Sequence, residues 1–237
     1  MKAQHLLILI GLLAVLLSSS LALADACVDC HKDPKLKVQN PKLFYYYEDF
    51  QSSVHGVAEL DCVDCHGGDA ETTDMEKAHD GVLDPVAFDQ IPVTCGECHD
   101  QQRDTFITSE HYRILKDDGL APNCVTCHGA MEMDFIFVTR VKNTCSFCHN
   151  LETGTLPGVP DRADYVLNKI NIMKGYRSFV NTHAADRVEV QNLDASYEDL
   201  IARWHRFDLD EVEVDAKTLL GDYRKAKAQA MKDRRNN

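Results

Sequence analysis

Beyond residue 24 the chain has no apolar run that could span a membrane, no cysteine outside one repeated pattern, and no surplus of positive charge. Each shortage excludes something. A spanning helix needs about 20 apolar residues, so only the first 24 could supply one. Lys and Arg number 25 against 38 Asp and Glu, a formal charge of −13. Nucleic acid and anionic membrane surfaces are gripped by clusters of Lys and Arg, so neither is an expected partner. With every cysteine inside the pattern, none remains for a disulfide framework or a lone reactive thiol.

The pattern is Cys-x-x-Cys-His, and its five copies use all ten cysteines. They are Cys27, Cys30 and His31; Cys62, Cys65 and His66; Cys95, Cys98 and His99; Cys124, Cys127 and His128; and Cys145, Cys148 and His149. A single Cys-x-x-Cys could be a redox dithiol or half of a zinc site. A histidine directly after the second cysteine, five times over, reads instead as covalent attachment of c-type haem. The two thiols take the haem vinyl groups and the histidine takes the iron as its proximal ligand. Five covalently attached haems c are expected.

Residues 1–24 have the parts of a secretory signal peptide: Lys2, an apolar run from Leu6 to Leu17, and Ala22-Leu23-Ala24 as a small-residue cleavage site. Cleavage there would leave Asp25 first, and an uncleaved membrane anchor is the competing reading. Either reading places the rest of the chain outside the cytoplasm, with the periplasm as the expected location. Residues 25–237 carry 24 Lys and Arg against 38 Asp and Glu, a charge of −14. The haem propionates add to this, so the field favours a redox partner with a basic docking surface and makes the encounter salt-sensitive.

The motifs occupy only residues 27–149, about 25 residues per haem. So short a segment cannot enclose five macrocycles and also build a side-chain core, so the haems are expected to be the core. The expected fold class is mainly α, with little regular structure around stacked haems in residues 25–150 and a helical segment over 151–237. Two or three helices are expected in the latter region. One spans Arg162–Thr182, a second opens on the capping-box pattern Ser196-Tyr-Glu-Asp199, and a third runs from about Glu211 to Lys232.

Within the haem region a two-haem module repeats, over about 41–100 and 101–150, behind a solitary first motif. Phe50-Gln-Ser-Ser-Val-His55 precedes the second motif as Phe106-Ile-Thr-Ser-Glu-His111 precedes the fourth. Gly67 and Gly129 follow those motifs, and Thr94 and Thr144 precede the third and fifth. The repeat singles out His55 and His111 as iron ligands. Leu43, Tyr47, Phe50 and Val54 recur at helical spacing, so His55 is expected to close a helix.

Five histidines lie outside the motifs in residues 25–237: His55, His79, His111, His183 and His205. That is the number five bis-histidine irons require. His79 sits in the polar insert Gly67–Pro92. His183 continues the stripe Val166, Ile170, Met173 and Val180, and His205 aligns with Tyr197 and Ile201. Met131 and Met133 are reserve ligands, and the cluster Phe44-Tyr45-Tyr46-Tyr47 is expected to pack on porphyrin edges.

The stretch from Phe50 to Gly56, the Cys62–Gly68 motif, and His79 ahead of Cys95 resemble the periplasmic multihaem cytochromes c related to the tetrahaem and octahaem proteins of nitrogen metabolism. The resemblance covers about residues 41–150. It implies stacked haems that pass electrons along a chain, and upstream histidines that ligate the haem of a different motif. No motif is Cys-x-x-Cys-Lys, the form found at the catalytic haem of the ammonia-forming nitrite reductases in that group. No signal marks the tyrosine cross-link of its hydroxylamine-oxidising members.

Taken together, these features lead us to expect a periplasmic electron carrier with mostly or wholly bis-histidine irons. The competing readings are an oxidoreductase with one open iron acting on a small nitrogen or sulfur compound, a membrane-anchored quinol dehydrogenase, and a subunit of an extracellular haem filament.

Overall fold

A computed structural model describes residues 25–83, 86–133, 138–184 and 187–236. The expected signal peptide lies outside them. The described residues form helices and no strand, which meets the mainly-α expectation. In chain order the helices are α1 (Ala26–His31), α2 (Pro34–Gln39), α3 (Pro41–Ser52), α4 (Val54–Val57), α5 (Val63–His66), α6 (Met75–Ala78) and α7 (Ile91–Cys95). There follow α8 (Asp100–Phe106), α9 (Glu110–Asp118), α10 (Cys124–His128), α11 (Val138–Ser146), α12 (Val159–Ala184), α13 (Val188–Trp204) and α14 (Leu209–Asn236). None is long and apolar enough to cross a membrane.

The chain divides into two compact units, one made of Met1–Tyr47 and Cys62–Val82, the other of Glu48–Asp61 and Leu83–Asn237. The first repeat module therefore contributes residues to both. In the first unit short helices are set by polar caps. Asp25 accepts from the backbone N–H groups of Cys27 and Val28, Asp33 from that of Lys35, and Asp74 from those of Glu76 and Lys77. Such caps satisfy amide donors that the first turn of a helix cannot pair internally. Ala26 is the single buried residue described in this unit. A segment with almost no side-chain core is what the haem-as-core expectation requires.

The second unit includes residues 151–237, to which that expectation did not extend. Helices α12, α13 and α14 pack around a continuous core of their own, including Val166, Met173, Val180, Leu200, Val212, Ala216 and Tyr223, all at 1% exposure or less. Each buried aliphatic or aromatic side chain contributes about 1.5–3 kcal/mol. This part of the chain therefore has a side-chain core of its own, with Cys145 of the fifth motif packed against it. Tyr223 Oη donates to the Leu193 carbonyl at 3.1 Å, so its buried hydroxyl is paired. At the margin Arg177 spans Asp194 and Glu198 and lies 4.7 Å over the Tyr197 ring.

Boundaries differ from expectation where a local signal was outweighed. Helix α13 begins at Val188, eight residues before the expected cap, because Val190 and Tyr197 share one buried stripe. Ser196 lies inside the helix, its hydroxyl donating to the Asn192 carbonyl at 2.9 Å. His55 does not close the helix that starts near Leu43. That helix stops at Ser52, and His55 belongs to the next short one, α4.

Candidate haem-ligating centre

All five motifs take a helical turn. In α1 and α10 the turn belongs to a regular helix. Elsewhere the histidine N–H bonds the carbonyl of the first cysteine, at 3.0 Å for His66, 3.0 Å for His99 and 2.9 Å for His149. Residues at i, i+3 and i+4 share one face of such a turn. Both thiols and the imidazole are therefore offered to the same side, the side where one macrocycle must be held. The threonine that precedes the third and fifth motifs marks a local difference: these motifs follow the ends of α7 and α11 instead of lying in a helix of their own. Gly67 and Gly129, which follow the second and fourth motifs, have φ of 70° and 82°. Only glycine enters that region without steric cost, and there it turns the chain away from the motif.

The structure sets four motif histidines each beside one spare histidine, and each pair lies within a single unit. His31 and His79 have ring centroids 6.4 Å apart, His99 and His55 6.0 Å, His149 and His111 5.9 Å, and His128 and His205 6.2 Å. Two imidazoles on opposite sides of one metal, with nitrogens about 2.0 Å from it and ~1.1 Å from their ring centres, would have centroids about 6.2 Å apart. The residues thus fit a haem iron held between each pair. In all four pairs the spare histidine comes from outside the motif it faces.

Local folding explains how the spare rings are presented. Ser53 and Ser109, at 2% and 4% exposure, are the N-caps of α4 and α9. Their hydroxyls accept from the N–H of Gly56 and Tyr112, both at 3.1 Å. The ligand histidine stands two residues past the cap in both copies, so the repeat Phe-x-x-Ser-x-His is a device that caps a helix and aims an imidazole. His79 and His205 sit at the C-terminal ends of α6 and α13, where Nδ1 meets the Met75 carbonyl at 2.7 Å and the Ile201 carbonyl at 2.8 Å. A carbonyl on Nδ1 leaves Nε2 as the ligating atom and fixes the plane of the ring. The Nδ1 atoms of His55 and His111 are buried with no hydrogen-bond partner among the described residues.

Burial favours neutral imidazole, the form that binds metal. It holds His55, His111 and His205 below the ordinary histidine value. His128 is pushed down to about 4, first by burial and then by His205, His99 and His55 nearby. The fourth motif is also close to its neighbours through its thiols. Cys95 and Cys124 hydrogen-bond to each other, which raises Cys95 and lowers Cys124. Cys127 is pushed up to about 11 by burial, with Cys145 adding to the effect. Helix α10 packs against both α7 and α11, placing the fourth motif between the third and the fifth.

Several residues in the centre carried no legible signal. Asn123, 3% exposed, closes a capping box with Thr126 and donates to the Phe88 carbonyl at 2.8 Å, which fixes the start of α10. Phe207 sits edge-on to His111 at 4.7 Å, 6.0 Å from Trp204 and 6.2 Å from Phe106, and so wedges between two ligand positions. Its φ of 61° is unusual for a side chain of this size.

His183 is set apart from the other spare histidines. It is exposed, its ring lies 4.5 Å from Phe179, and Nε2 is 3.4 Å from Arg234 Nη1. The buried stripe of α12 continues from Val180 to Ala184, which leaves His183 beside the core face and not on it. His66 lies in the other unit, at the end of α5. Met133 uses its backbone carbonyl to receive Val54 N–H at 2.8 Å. Tyr45 and Tyr46 are exposed, with Lys37 5.1 Å over the Tyr45 ring.

Residues 34–121 match the family cytochrome c552. That region contains the second and third motifs with His55, His79 and His111. The chain is also 30% identical over 116 residues to the C-type polyheme cytochrome OmcB of Geobacter sulfurreducens, in strain DL-1 / KN400 and in strain ATCC 51573 / DSM 12127 / PCA alike. The match covers 45% of this chain but spans only 14% of the relative's length. No solved structure matches. Haem-attachment turns and facing histidines along the chain, with a cytochrome c match over the second and third motifs, together support a multihaem c-type cytochrome.

Proposed function

We propose that the protein carries electrons through five covalently bound haems c, with at least four irons held between two histidines. The observation that carries this reading is the pairing of His31 with His79, His99 with His55, His149 with His111, and His128 with His205 at 5.9–6.4 Å. A bound haem supplies the Fe(III)/Fe(II) couple, and its axial ligands and surroundings tune the potential. The protein's part is to keep both axial imidazoles neutral, aimed and dry at the four paired sites, so that none of those irons has a position left for a substrate. The packing of α10 against both α7 and α11 supports a relay through the third, fourth and fifth motifs in order. The acidic composition, with 38 Asp and Glu, supports a redox partner with a basic docking surface, and the leader-like residues 1–24 support export to the periplasm.

Low-temperature EPR on the oxidised haem-loaded protein tests the reading. The expected result is low-spin iron at the four paired sites, none of which binds nitrite, hydroxylamine or cyanide. Pyridine haemochrome analysis should count five haems per chain. A high-spin signal that shifts with nitrite, and that survives when His183 is replaced, would overturn the carrier reading in favour of an enzyme with one open iron.

A further inference from the structure

The C-terminal part of the last helix has the opposite charge to the rest of the molecule. Residues 217–235 carry seven Lys and Arg against two Asp, while the remainder has eighteen against thirty-six. The basic side chains stand on a rigid support, because Leu219, Leu220, Tyr223, Ala226 and Ala230 bury the other side of α14. A helix C-terminus attracts cations through its dipole, an effect confined to the last turn. That accounts for Arg234 and Arg235 but not for Arg224 or Lys225, two to three turns earlier.

On α14, Arg224, Lys227, Met231 and Arg234 follow one another at steps of three and four, so they share a face. Lys227 lies 4.5 Å over Tyr176 of α12, Met231 is 45% exposed, and Arg234 reaches His183. Arg224, Lys232 and Arg235 are exposed and make no ion pair among the described residues. The face combines fixed cations, aromatic rings and an exposed methionine, a composition suited to a partner surface rich in carboxylates.

The chain itself supplies such a surface. Residues 64–80 hold six exposed carboxylates, Asp64, Asp69, Glu71, Asp74, Glu76 and Asp80, against the single base Lys77. Of these, Glu71, Glu76 and Asp80 make no ion pair among the described residues. We propose that the basic face of α14 on one copy docks on the acidic residues 64–80 of a second copy, as a head-to-tail contact. Two different patches meet in such a contact, so association closes into rings or extends into open chains. The acidic patch surrounds the second motif and His79. Passage of electrons from copy to copy through it rests on the relay reading above, whereas the association itself does not.

Sedimentation velocity on the haem-loaded protein tests the contact. Exposed charge pairs are individually weak and are screened by salt. Association is therefore expected at about 20 mM NaCl and should weaken at least tenfold by about 300 mM, where the screening length falls below 10 Å. The variant Arg224→Glu, Lys232→Glu, Arg235→Glu should be monomeric at low salt, and so should Glu71→Lys, Glu76→Lys, Asp80→Lys. All six positions are exposed, and unchanged haem spectra would show that both variants fold. Mixing the two variants brings the unchanged basic helix face of one to the unchanged acidic patch of the other, and should restore association with the two present in equal numbers. A wild-type protein that stays monomeric at low salt, or a mixture that fails to associate, would overturn the proposal.

Discussion

Ser109→Ala tests the link between helix capping and iron ligation. The Ser109 hydroxyl, 4% exposed, accepts the Tyr112 N–H at 3.1 Å, and His111 lies between the two residues in sequence. Removing an N-cap hydroxyl costs about 0.5–2 kcal/mol. The site is buried, so the freed N–H finds no water, and the upper half of that range applies. A loss of about 1–2 kcal/mol raises the population with this turn undone by about 5–30-fold. When the turn opens, His111 leaves its position opposite His149. An external ligand such as cyanide then meets a competent iron more often, and its apparent affinity should rise by the same factor. Cyanide titration followed at the Soret band gives the number. Ser109→Thr keeps an acceptor at the cap and should stay near wild type. Ser53→Ala should reproduce the effect at the His55 and His99 site, where the same geometry occurs. Cyanide affinity unchanged in both alanine variants, or a threonine variant as impaired as alanine, would refute the reasoning.

Other substitutions probe separate parts of the structure. His205→Ala removes the ring facing His128 at 6.2 Å, so one low-spin EPR signal should be replaced by a high-spin one, and added imidazole should reverse the change. His183→Gln should leave the number of low-spin haems unchanged, because His183 packs on Phe179 beside Arg234; loss of one low-spin signal would make it an iron ligand. The Arg177 guanidinium, hydrogen-bonded to Asp194, holds that carboxyl below its ordinary value. A depressed carboxylate stabilises the fold above the unfolded value of about 3.9, and the stabilisation is lost as pH falls through the lower folded value. Asp194→Asn should therefore lower the urea midpoint at pH 7, and the gap to wild type should close in acid. A gap that persists unchanged at pH 3 would contradict the assignment.

The parts of this centre that were legible in the sequence share one property: they depend on chemistry written in a few adjacent residues. Cys-x-x-Cys-His is complete in five positions, and the repeat around His55 and His111 is a comparison of the chain with itself. Heptad-like stripes also made the helices beneath α12 and α14 readable, because Val166, Ile170 and Met173 recur wherever a helix buries one face. What the sequence concealed depends on where two local tendencies compete. Ser196-Tyr-Glu-Asp199 reads as a helix start, yet burial of Val190 and Tyr197 carries α13 eight residues further back, and Ser196 bonds a carbonyl within the helix. Ser53 reads as one more residue of a helix running to His55. Its hydroxyl ends that helix and starts the next, which changes the direction of the imidazole without changing the spacing.

The unforeseen core of α12 to α14 shows the same competition at the scale of the whole chain. The count of about 25 residues per haem was taken over residues 27–149 and does not reach the region beyond them, which has no haem motif. There, burial follows ordinary side-chain packing, and a three-helix assembly can hold its shape independently of the cofactors. That independence has a consequence for the centre. His205 ends α13, and Phe207 follows it in a left-handed turn against His111, so one helix end of a self-supporting core reaches two iron positions at once. A ligand carried on a folded support loses less freedom when it binds the metal than one carried on a loop. The fourth site, whose second histidine is carried on that support, should therefore keep it under denaturant concentrations at which the first unit, capped by aspartates and lacking a side-chain core, has already released His79.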